Sequence, residues 1–206
     1  MNARIYIEGG GDSKELHTRC REGFRRLLEH CGFTGRMPRL VACGGRQAAF
    51  DDFSIACESA GEGEFVALLI DSEDPLEVVE ATWNHLHQRD HWRQPDGARD
   101  EQVLLMTTCM ETWLVADRQA LRAHFGQCLH ENSLPSQTNL ESRTRSDVQG
   151  ALVQATRGCK QGYAKGKCSF ALLARLRPAE LRRHLPSFAR FERILREELQ
   201  NPKTIA

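Results

Sequence analysis

The chain has 206 residues, of which 40% are hydrophobic, and its formal net charge is zero. A chain of this size can bury a substantial core as one domain, or as one domain with an elaboration. Its longest apolar run is far shorter than the roughly 20 residues that a membrane-spanning helix needs, and its N-terminus enters a predicted strand without the apolar region of a signal peptide. These features argue against a membrane protein, and we expect the protein in the cytoplasm.

Strand and helix patterns alternate along the first part of the chain. Predicted strands cover residues 3–7, 39–43, 65–70 and 103–108. The third, FVALLI, is apolar throughout, which is typical of a strand buried on both faces of a parallel sheet. A helical pattern follows each strand, at residues 12–30, 47–59, 75–88 and 111–125. This order predicts a three-layer, Rossmann-like α/β fold with about four mainly parallel strands.

Three acidic residues are predicted to cap helices. Asp12 precedes the first helix and has Glu15 three positions later, the spacing of a capping box. Asp74 precedes Pro75, a residue type favoured in the first turn of a helix. Asp117 is predicted to cap a new turn that follows it. Each of these acids therefore suits a structural role that requires no ligand.

The pattern changes after about residue 130. Residues 132–146 are polar and rich in turn formers, so we predict a loop there. Short helices are predicted after it, at residues 148–157, 170–176 and 188–199. We therefore divide the chain into an α/β core at residues 1–130 and a basic helical extension, packed on the core, at residues 131–206.

Charge is distributed unevenly along the chain. Residues 141–206 contain 14 Lys or Arg and 6 Asp or Glu, whereas the preceding residues contain 14 and 22. Such an asymmetry suits a protein whose acids hold a metal and whose bases hold a polyanion. Two ordinary solvated faces would account for it equally well.

The eight cysteines do not form a recognisable scaffold. They include no Cys-x-x-Cys pair and no short cluster of the kind found in zinc sites and small disulfide-linked domains. We therefore expect reduced and mostly buried thiols.

Acidic residues stand where predicted strands end. In IYIEGGGD, Glu8 ends the first strand; in LLIDSEDP, Asp71 ends the third and Glu73 follows two residues later. Glu111 follows the fourth strand in TTCMETWLVAD. Ligands of open parallel sheets gather at the carboxyl ends of the strands, where carboxylates on neighbours about 4.8 Å apart can share a cation. The four acids therefore predict a divalent-cation site, with an extended backbone pointing Asp71 and Glu73 to one side.

Two acids near the strand ends also suit helix termini. Asp12, the second carboxylate of IYIEGGGD, is a secondary candidate for the site, although a helix cap accounts for it more simply. Glu111 would equally suit the positive end of its own helix. Glu8 and Asp71 are harder to account for without a ligand, because a carboxylate that ends an apolar strand needs a partner to offset its desolvation.

Basic residues offer matching phosphate contacts. In KQGYAKGK, Lys160, Lys165 and Lys167 alternate with glycines in a flexible loop, and Tyr163 is available to stack on a base or to donate a hydrogen bond. Arg46 follows two glycines at another strand end and is a further candidate. Runs of charge are more often solvent-facing surface, so an ordinary surface loop is the alternative.

A histidine-rich segment offers a competing metal site. His87 and His91 are four residues apart, with Asp90 between them and His85 nearby, so a helix would place His87 and His91 on one face. No third ligand at a fixed spacing accompanies them. A surface helix with ordinary histidines is therefore the favoured interpretation.

The acidic motifs resemble those of the Toprim domain of topoisomerases, primases and OLD-type nucleases. The match lies in Glu8 of IYIEGGGD and in the later acidic pair of LLIDSEDP. The segments CMETWLVAD and KQGYAKGK are similar to those of a bacterial Toprim-like family of the domain-of-unknown-function 4276 type, associated with phage defence. The resemblance implies that Glu8 is a metal ligand and a general acid or base, and that Asp71 and Glu73 bind magnesium. Glu73 departs from the Asp of that pattern and reaches one methylene further.

These observations predict a nuclease that depends on Mg²⁺ or Mn²⁺. Glu8, Asp71, Glu73 and Glu111 would hold one or two cations, and Lys165 would balance charge at the reacting phosphate. The resemblance also implies a partner ATPase of the AAA or ABC type. Assembly into a homo-oligomer is left open.

Two other functions are compatible with the same residues. The first is a Toprim-shaped module that binds nucleic acid or a partner without cutting, and the departure at Glu73 motivates it. The second is a phosphoaspartyl switch or phosphatase built on Asp71, although the Asp-x-Asp-x-Thr pattern of that chemistry does not follow Asp71.

Overall fold

The core of the protein is a parallel β-sheet. A computed structural model describes residues 2–200 of the chain, so residues 201–206 of the predicted extension lie outside the described range. Within that range, the sheet has four strands in the order β2-β1-β3-β4, and every neighbouring pair is parallel. The strands are β1 (Asn2–Glu8), β2 (Arg39–Gly44), β3 (Glu64–Asp71) and β4 (Val103–Met106). The predicted fold class is confirmed.

Helices connect the strands and form the last third of the chain. In the core they are α1 (Lys14–His30), α2 (Arg46–Glu58), α3 (Thr82–Asp90), α4 (Met110–Ala116) and α5 (Arg118–Phe125). The later helices are α6 (Arg145–Thr156), α7 (Lys167–Leu173), α8 (Pro178–His184) and α9 (Pro186–Gln200). No helix in the described part of the chain combines the length and the apolar character that a membrane crossing requires.

Helices cover both faces of the sheet. Successive residues of β3 point to opposite faces. Ala67 and Leu69 pack in one apolar cluster with residues of α1, α4 and the C-terminal helices. Leu68 and Ile70 pack in a second cluster with residues of α2 and α3. This two-sided burial explains why β3 is apolar throughout.

The C-terminal helices pack closely on the core. A Cβ at Gly23 of α1 would lie 2.9 Å from the carbonyl oxygen of Phe170, so α7 approaches α1 at a distance that only glycine allows. Trp113 of α4 is fully buried and its ring meets that of Phe188 of α9 edge-on, with 4.9 Å between the ring centroids. Trp113 therefore belongs to the core, as its sequence pattern indicates.

Two predicted helix starts are wrong. Ser13, and not Asp12, caps α1, because the Ser13 side chain accepts a hydrogen bond from the Leu16 N–H. The helix predicted from residue 75 begins at Thr82, so Asp74 caps no helix. The reason lies far along the chain: Asp100 Oδ1 accepts hydrogen bonds from the Trp83 N–H and the Thr82 hydroxyl.

The helix predicted at residues 111–125 is divided in two at Asp117. Its Oδ1 accepts a hydrogen bond from the Ala120 N–H at 3.0 Å, so the predicted cap is confirmed. The same carboxylate binds the Arg177 guanidinium, with 2.6 Å between Oδ1 and Nη2. Asp117 is fully buried and ties α5 to the turn before α8.

One cysteine pair contradicts the prediction of reduced thiols. Cys128 and Cys159 form a disulfide across 31 residues of sequence. They meet because the turn after α5 runs beside the end of α6, where the His130 N–H donates to the Ala155 carbonyl. The other six cysteines are free, and three of them are buried.

Candidate functional site

Acidic and basic side chains converge in a cleft at the carboxyl edge of the sheet. The cleft has a volume of about 310 Å³ and is lined by residues that follow β1, β3 and β4 and by residues of the C-terminal part. Four of the lining side chains were predicted from the sequence: Glu8, Asp71, Glu111 and Lys165. A fifth, Arg145, was not predicted. Lys165 thus lines the same cleft as Glu8 and Asp71.

Three carboxylates form a cluster in this region. One oxygen each of Glu8, Asp71 and Glu73 lie within 4.8 Å of one another. Two oxygens on opposite sides of one ion are about 4.2 Å apart for Mg²⁺ and about 4.8 Å apart for Ca²⁺. Hard oxygen donors at this spacing fit a divalent cation of this type, with slight closure for the smaller ion.

Glycines form one wall of the cleft. Gly9 and Gly44 exchange backbone hydrogen bonds of 2.9 and 3.0 Å, which joins the ends of β1 and β2. Gly44 has a φ of 77°, and a Cβ there would lie 2.6 Å from the Gly11 carbonyl oxygen. The close approach of these two backbones therefore requires glycine, and it leaves a surface without side chains beside Glu8.

Asp71 is a buried acid of the cluster. Its side chain is 11% exposed, and its Oδ1 accepts a hydrogen bond from the Met110 N–H at 2.8 Å. Burial, and then the nearby charges of Glu8 and Glu111, raise the pKa of Asp71 to about 7. A cation in the cleft would oppose this shift, because it favours the ionised carboxylate.

Glu73 reaches the cluster by an unexpected backbone conformation. The sequence predicts an extended backbone, but Glu73 is left-handed, with a φ of 68°. Its N–H donates to the Thr108 carbonyl at 2.8 Å, which fixes the turn. Its Oε2 accepts a hydrogen bond from Arg145 Nη1 and lies 3.9 Å from Arg89 Nη2. Glu73 is therefore present in the cluster but is held by two arginines.

Glu111 is buried next to the cluster and not within it. Its side chain is 1% exposed. Its Oε1 accepts a hydrogen bond of 2.7 Å from the Tyr163 hydroxyl, and its Oε2 accepts one of 3.2 Å from the Gln149 amide. Lys165 Nζ lies 3.6 Å from Oε1. Glu111 thus anchors the lysine loop to α4. It is not one of the three clustered carboxylates, and its role as a metal ligand stays a prediction.

Arg46 lies inside the acidic region. Its Nη1 donates to Glu8 Oε2 at 3.3 Å and to the Asp71 carbonyl at 2.5 Å. Its other nitrogens bind both oxygens of Asp90, and its guanidinium carbon lies 5.1 Å from the centroid of the Trp92 ring. This network positions Glu8. The arginine predicted to contact phosphate is therefore already engaged on several sides.

The residues of the KQGYAKGK loop separate into different environments. Lys165 is exposed and lines the cleft, whereas Lys160 is exposed and does not line it. Lys167 pairs with Glu15 of α1 at 2.8 Å. Tyr163 is 8% exposed, and burial raises the pKa of its hydroxyl. A buried tyrosine cannot stack on a base, so the structure corrects that expectation for Tyr163.

The remaining candidates lie outside the cluster. Asp12 is exposed in the turn before α1. His85 and His87 contact the backbone carbonyls of Ser72 and Trp92, and His91 follows the end of α3 in a left-handed conformation. Among the described residues, Glu8, Asp71 and Glu73 form the one group of side chains close enough to share a metal ion. The histidines form no such group within that part of the chain.

Arg145 is the site residue that sequence reasoning missed. It is the first residue of α6 and follows Thr144, whose side chain caps that helix. The segment RTRSD does contain a recognisable helix start, with Thr144 and Asp147 at capping-box spacing. Local sequence does not reveal that this helix begins opposite Glu73, because Arg145 and Glu73 are 72 residues apart in the chain.

A larger cavity lies elsewhere on the same edge. It has a volume of about 660 Å³ and lies between residues 137–142 and the junction of α8 and α9. None of the site residues predicted from the sequence lines it. The smaller cleft is the better candidate, because volume alone is less informative than converging acids and bases with a perturbed pKa.

One of three comparisons with known proteins identifies a family. A search of curated proteins and a search of solved structures found no match to this chain. The model of a family described as a domain of unknown function (DUF4276) matches residues 7–196. This range includes the carboxylate cluster, Arg145 and the lysine loop. The chain therefore belongs to the DUF4276 family.

Proposed function

We propose that this protein is a divalent-metal-dependent phosphodiesterase that cleaves nucleic acid, with Mg²⁺ or Mn²⁺ as its cofactor. One observation carries the proposal: oxygens of Glu8, Asp71 and Glu73 lie within 4.8 Å of one another beside a cleft that Lys165 also lines. Acids that hold a cation next to bases that hold a phosphate are the arrangement that metal-assisted phosphoryl chemistry needs.

Each group in the cleft has a role in this proposal. A bound divalent cation would supply Lewis acidity at the scissile phosphate and an activated water. Glu8, Asp71 and Glu73 would hold it through carboxylate oxygens. Lys165 would contact a phosphate oxygen, and Glu111 would orient Lys165 from the protein side. The glycine wall would allow the substrate backbone to approach Glu8 closely.

Cleavage assays test this proposal. Wild-type protein is incubated with DNA and RNA, single- and double-stranded, with Mg²⁺, with Mn²⁺ and with a chelator. We expect metal-dependent cleavage that the Glu8→Ala variant lacks. Glu62→Ala is the matched control, because Glu62 is exposed before β3, at the opposite edge of the sheet. Equal cleavage by wild type and Glu8→Ala would reject the proposal.

A second candidate is a module that binds nucleic acid or a partner without cutting it. The observation in its favour is that the carboxylates already have cationic partners, with Arg46 on Glu8 and Arg145 on Glu73. Calorimetry with Mg²⁺ and Mn²⁺ separates the two candidates. Metal binding that disappears in Asp71→Ala supports the nuclease, whereas absence of metal binding in wild type supports the module.

The biological setting is a further part of the proposal and rests on the resemblance alone. We propose a role as a cytoplasmic effector in phage defence, working with an ATPase of the AAA or ABC type. A neighbouring reading frame for such an ATPase, and co-purification of the two products, would support this setting. Nuclease activity that is unchanged by the co-expressed ATPase would count against a functional partnership.

A further inference from the structure

Arg145 contacts two of the three clustered carboxylates. Its Nη1 donates a hydrogen bond to Glu73 Oε2, and its Nη2 lies 3.9 Å from Asp71 Oδ2. These are two of the three carboxylates whose oxygens cluster. The guanidinium therefore competes for the oxygens that would otherwise bind a divalent cation.

The contacts of Arg145 differ from those of Arg46. Arg46 is held by Asp90, by the Asp71 carbonyl and by the face of Trp92, in addition to Glu8. Among the described residues, the Arg145 guanidinium contacts only Glu73 and Asp71. Arg46 would thus stay in place if the carboxylates bound a metal, whereas Arg145 would lose its partners.

The backbone at Arg145 allows its side chain to move alone. Thr144 caps α6 by accepting a hydrogen bond from the Asp147 N–H, so the helix start does not depend on the guanidinium. The Arg145 side chain is 32% exposed and lines the same cleft as Lys165. Release of the guanidinium from the carboxylates therefore leaves the start of α6 intact.

We propose that Arg145 exchanges with the divalent cation: metal binding displaces its guanidinium from Glu73 and Asp71, and the released guanidinium then contacts a phosphate oxygen of the substrate. This inference rests on the proposed function and assigns a second phosphate contact to its site. Arginine suits the role because its planar group forms paired hydrogen bonds with carboxylate and with phosphate alike. Metal binding and substrate binding are thereby linked through one side chain.

Metal titration provides the first test. Arg145→Gln removes the competitor, so we expect Mg²⁺ or Mn²⁺ to bind on the order of tenfold more tightly than to wild type, as loss of one charge-assisted contact implies. Arg145→Lys should fall between the two. Arg157→Gln is the matched control, because Arg157 is exposed at the other end of α6. Equal or weaker metal binding by Arg145→Gln, or an equal gain in Arg157→Gln, would overturn the exchange.

Nucleic-acid binding provides the second test and separates exchange from general electrostatics. The probes are fluorescein-labelled phosphorothioate DNA and 2′-O-methyl phosphorothioate RNA, which keep the backbone charge and resist cleavage. With metal present, Arg145→Gln should bind the probes about tenfold more weakly than wild type, as loss of a charge-assisted phosphate contact implies. With a chelator, the loss should be much smaller, because Arg145 is then engaged by the carboxylates and contributes only its long-range charge.

The outcomes distinguish the inference from the function on which it rests. A loss of probe affinity of the same size with and without metal would show that Arg145 is an ordinary cation, and would overturn the exchange while leaving the nuclease proposal intact. Wild-type protein that neither binds metal nor cleaves nucleic acid would reject both the exchange and the nuclease proposal. Metal binding by Arg145→Gln alone would show that Arg145 blocks the site in the wild-type protein, and would also reject both.

Discussion

Glu73 combines an unfavourable backbone with a central position in the site. A left-handed conformation costs a residue with a Cβ about 1–2 kcal/mol, and glycine avoids this cost. The φ of 68° at Glu73 is maintained by the hydrogen bond from its N–H to Thr108 and by its pairs with Arg145 and Arg89. A conformation of this kind, retained at a cluster of charges, is typical of a functional position.

Two substitutions of Glu73 distinguish the effect of its backbone conformation on stability from the effect of its side chain. Glu73→Gly and Glu73→Ala both remove the carboxylate, but only the glycine variant relieves the left-handed backbone. We therefore expect the free energy of unfolding of Glu73→Gly to exceed that of Glu73→Ala by about 1 kcal/mol. Urea denaturation followed by circular dichroism measures the difference. Equal stabilities would show that the turn relaxes when the carboxylate is absent.

Single residues show how far the sequence predicts the site. Glu8 and Asp71 were predictable, because a carboxylate that ends a buried strand suits few structural roles. The left-handed Glu73 and the approach of Arg145 were not, since they depend on a turn fixed by Thr108 and on a helix that begins far along the chain. Tyr163 was misjudged because a loop rich in lysine and glycine gives no sign that one of its residues is buried.

At the scale of elements, the strands were more predictable than the helices. Each strand is a short apolar run whose burial on both faces leaves little choice of conformation, as in β3. The start of α3 is set by Asp100, which caps it across the fold, so the local pattern at residues 75–88 gives the wrong boundary. Boundaries that distant side chains determine are inaccessible to local periodicity.

A buried carboxyl links the short 3-10 turn Leu140–Ser142 to the start of α9. Glu141 accepts hydrogen bonds from the N–H and the hydroxyl of Ser187, and burial raises its pKa from 4.5 to about 7. The folded state therefore holds this proton more tightly than the unfolded state. The resulting stabilisation is complete below about pH 4.5 and is lost as the pH rises to about 7.

The Glu141→Gln variant should remove this pH dependence. Glutamine keeps an acceptor for Ser187 but carries no charge at any pH. We expect the stability of wild type relative to Glu141→Gln to fall by up to about 3 kcal/mol between pH 4.5 and pH 8. Denaturation at a series of pH values measures this difference, and Glu62→Gln serves as an exposed control. A difference that rises with pH would contradict the assigned shift.

The disulfide between Cys128 and Cys159 joins the turn after α5 to the end of α6. Closing a loop of 31 residues restricts the unfolded chain and is worth about 3–4 kcal/mol by the entropy of the loop. We expect the Cys128→Ser/Cys159→Ser variant to lose stability of this order, and a reductant to lower the stability of wild type without affecting the variant. Thiol titration under denaturing conditions checks the pairing: eight free thiols before reduction would rule out the disulfide.

The whole molecule brings two parts of opposite charge to one edge of the sheet. The acids come from the ends of β1 and β3, and Arg145 and Lys165 come from the basic part that follows. Within the core, Arg46 of α2 and Arg89 of α3 already pair with Glu8 and Glu73, and the later part of the chain adds further cations. The charge asymmetry predicts a basic extension packed on the core, but the sequence does not show which cations reach the edge, because that depends on the packing of α6 and α7.

If the acids bind metal and the bases bind phosphate, substitutions on the two sides of the cleft should have opposite effects on metal affinity and nucleic-acid affinity. Lys165→Gln removes one phosphate contact, so nucleic-acid affinity should fall and the dependence of log Kd on log salt should decrease by about 0.7–0.9. Its metal affinity should change by less than about threefold, since Lys165 contacts Glu111 and not the clustered carboxylates. Asp71→Asn should do the reverse: it removes a ligand charge from the cluster and lowers metal affinity, while nucleic-acid binding in a chelator is retained or strengthened.

Lys160→Gln is the control for the lysine variant, because Lys160 is exposed in the same loop but does not line the cleft. Fluorescence anisotropy over a range of salt concentrations gives the nucleic-acid affinities, and calorimetry gives those for metal. An equal loss of affinity in Lys160→Gln and Lys165→Gln would show that the loop acts through its total charge. The orientation of Lys165 by Glu111 would then have no part in binding, because a diffuse field does not depend on which lysine the protein holds in place.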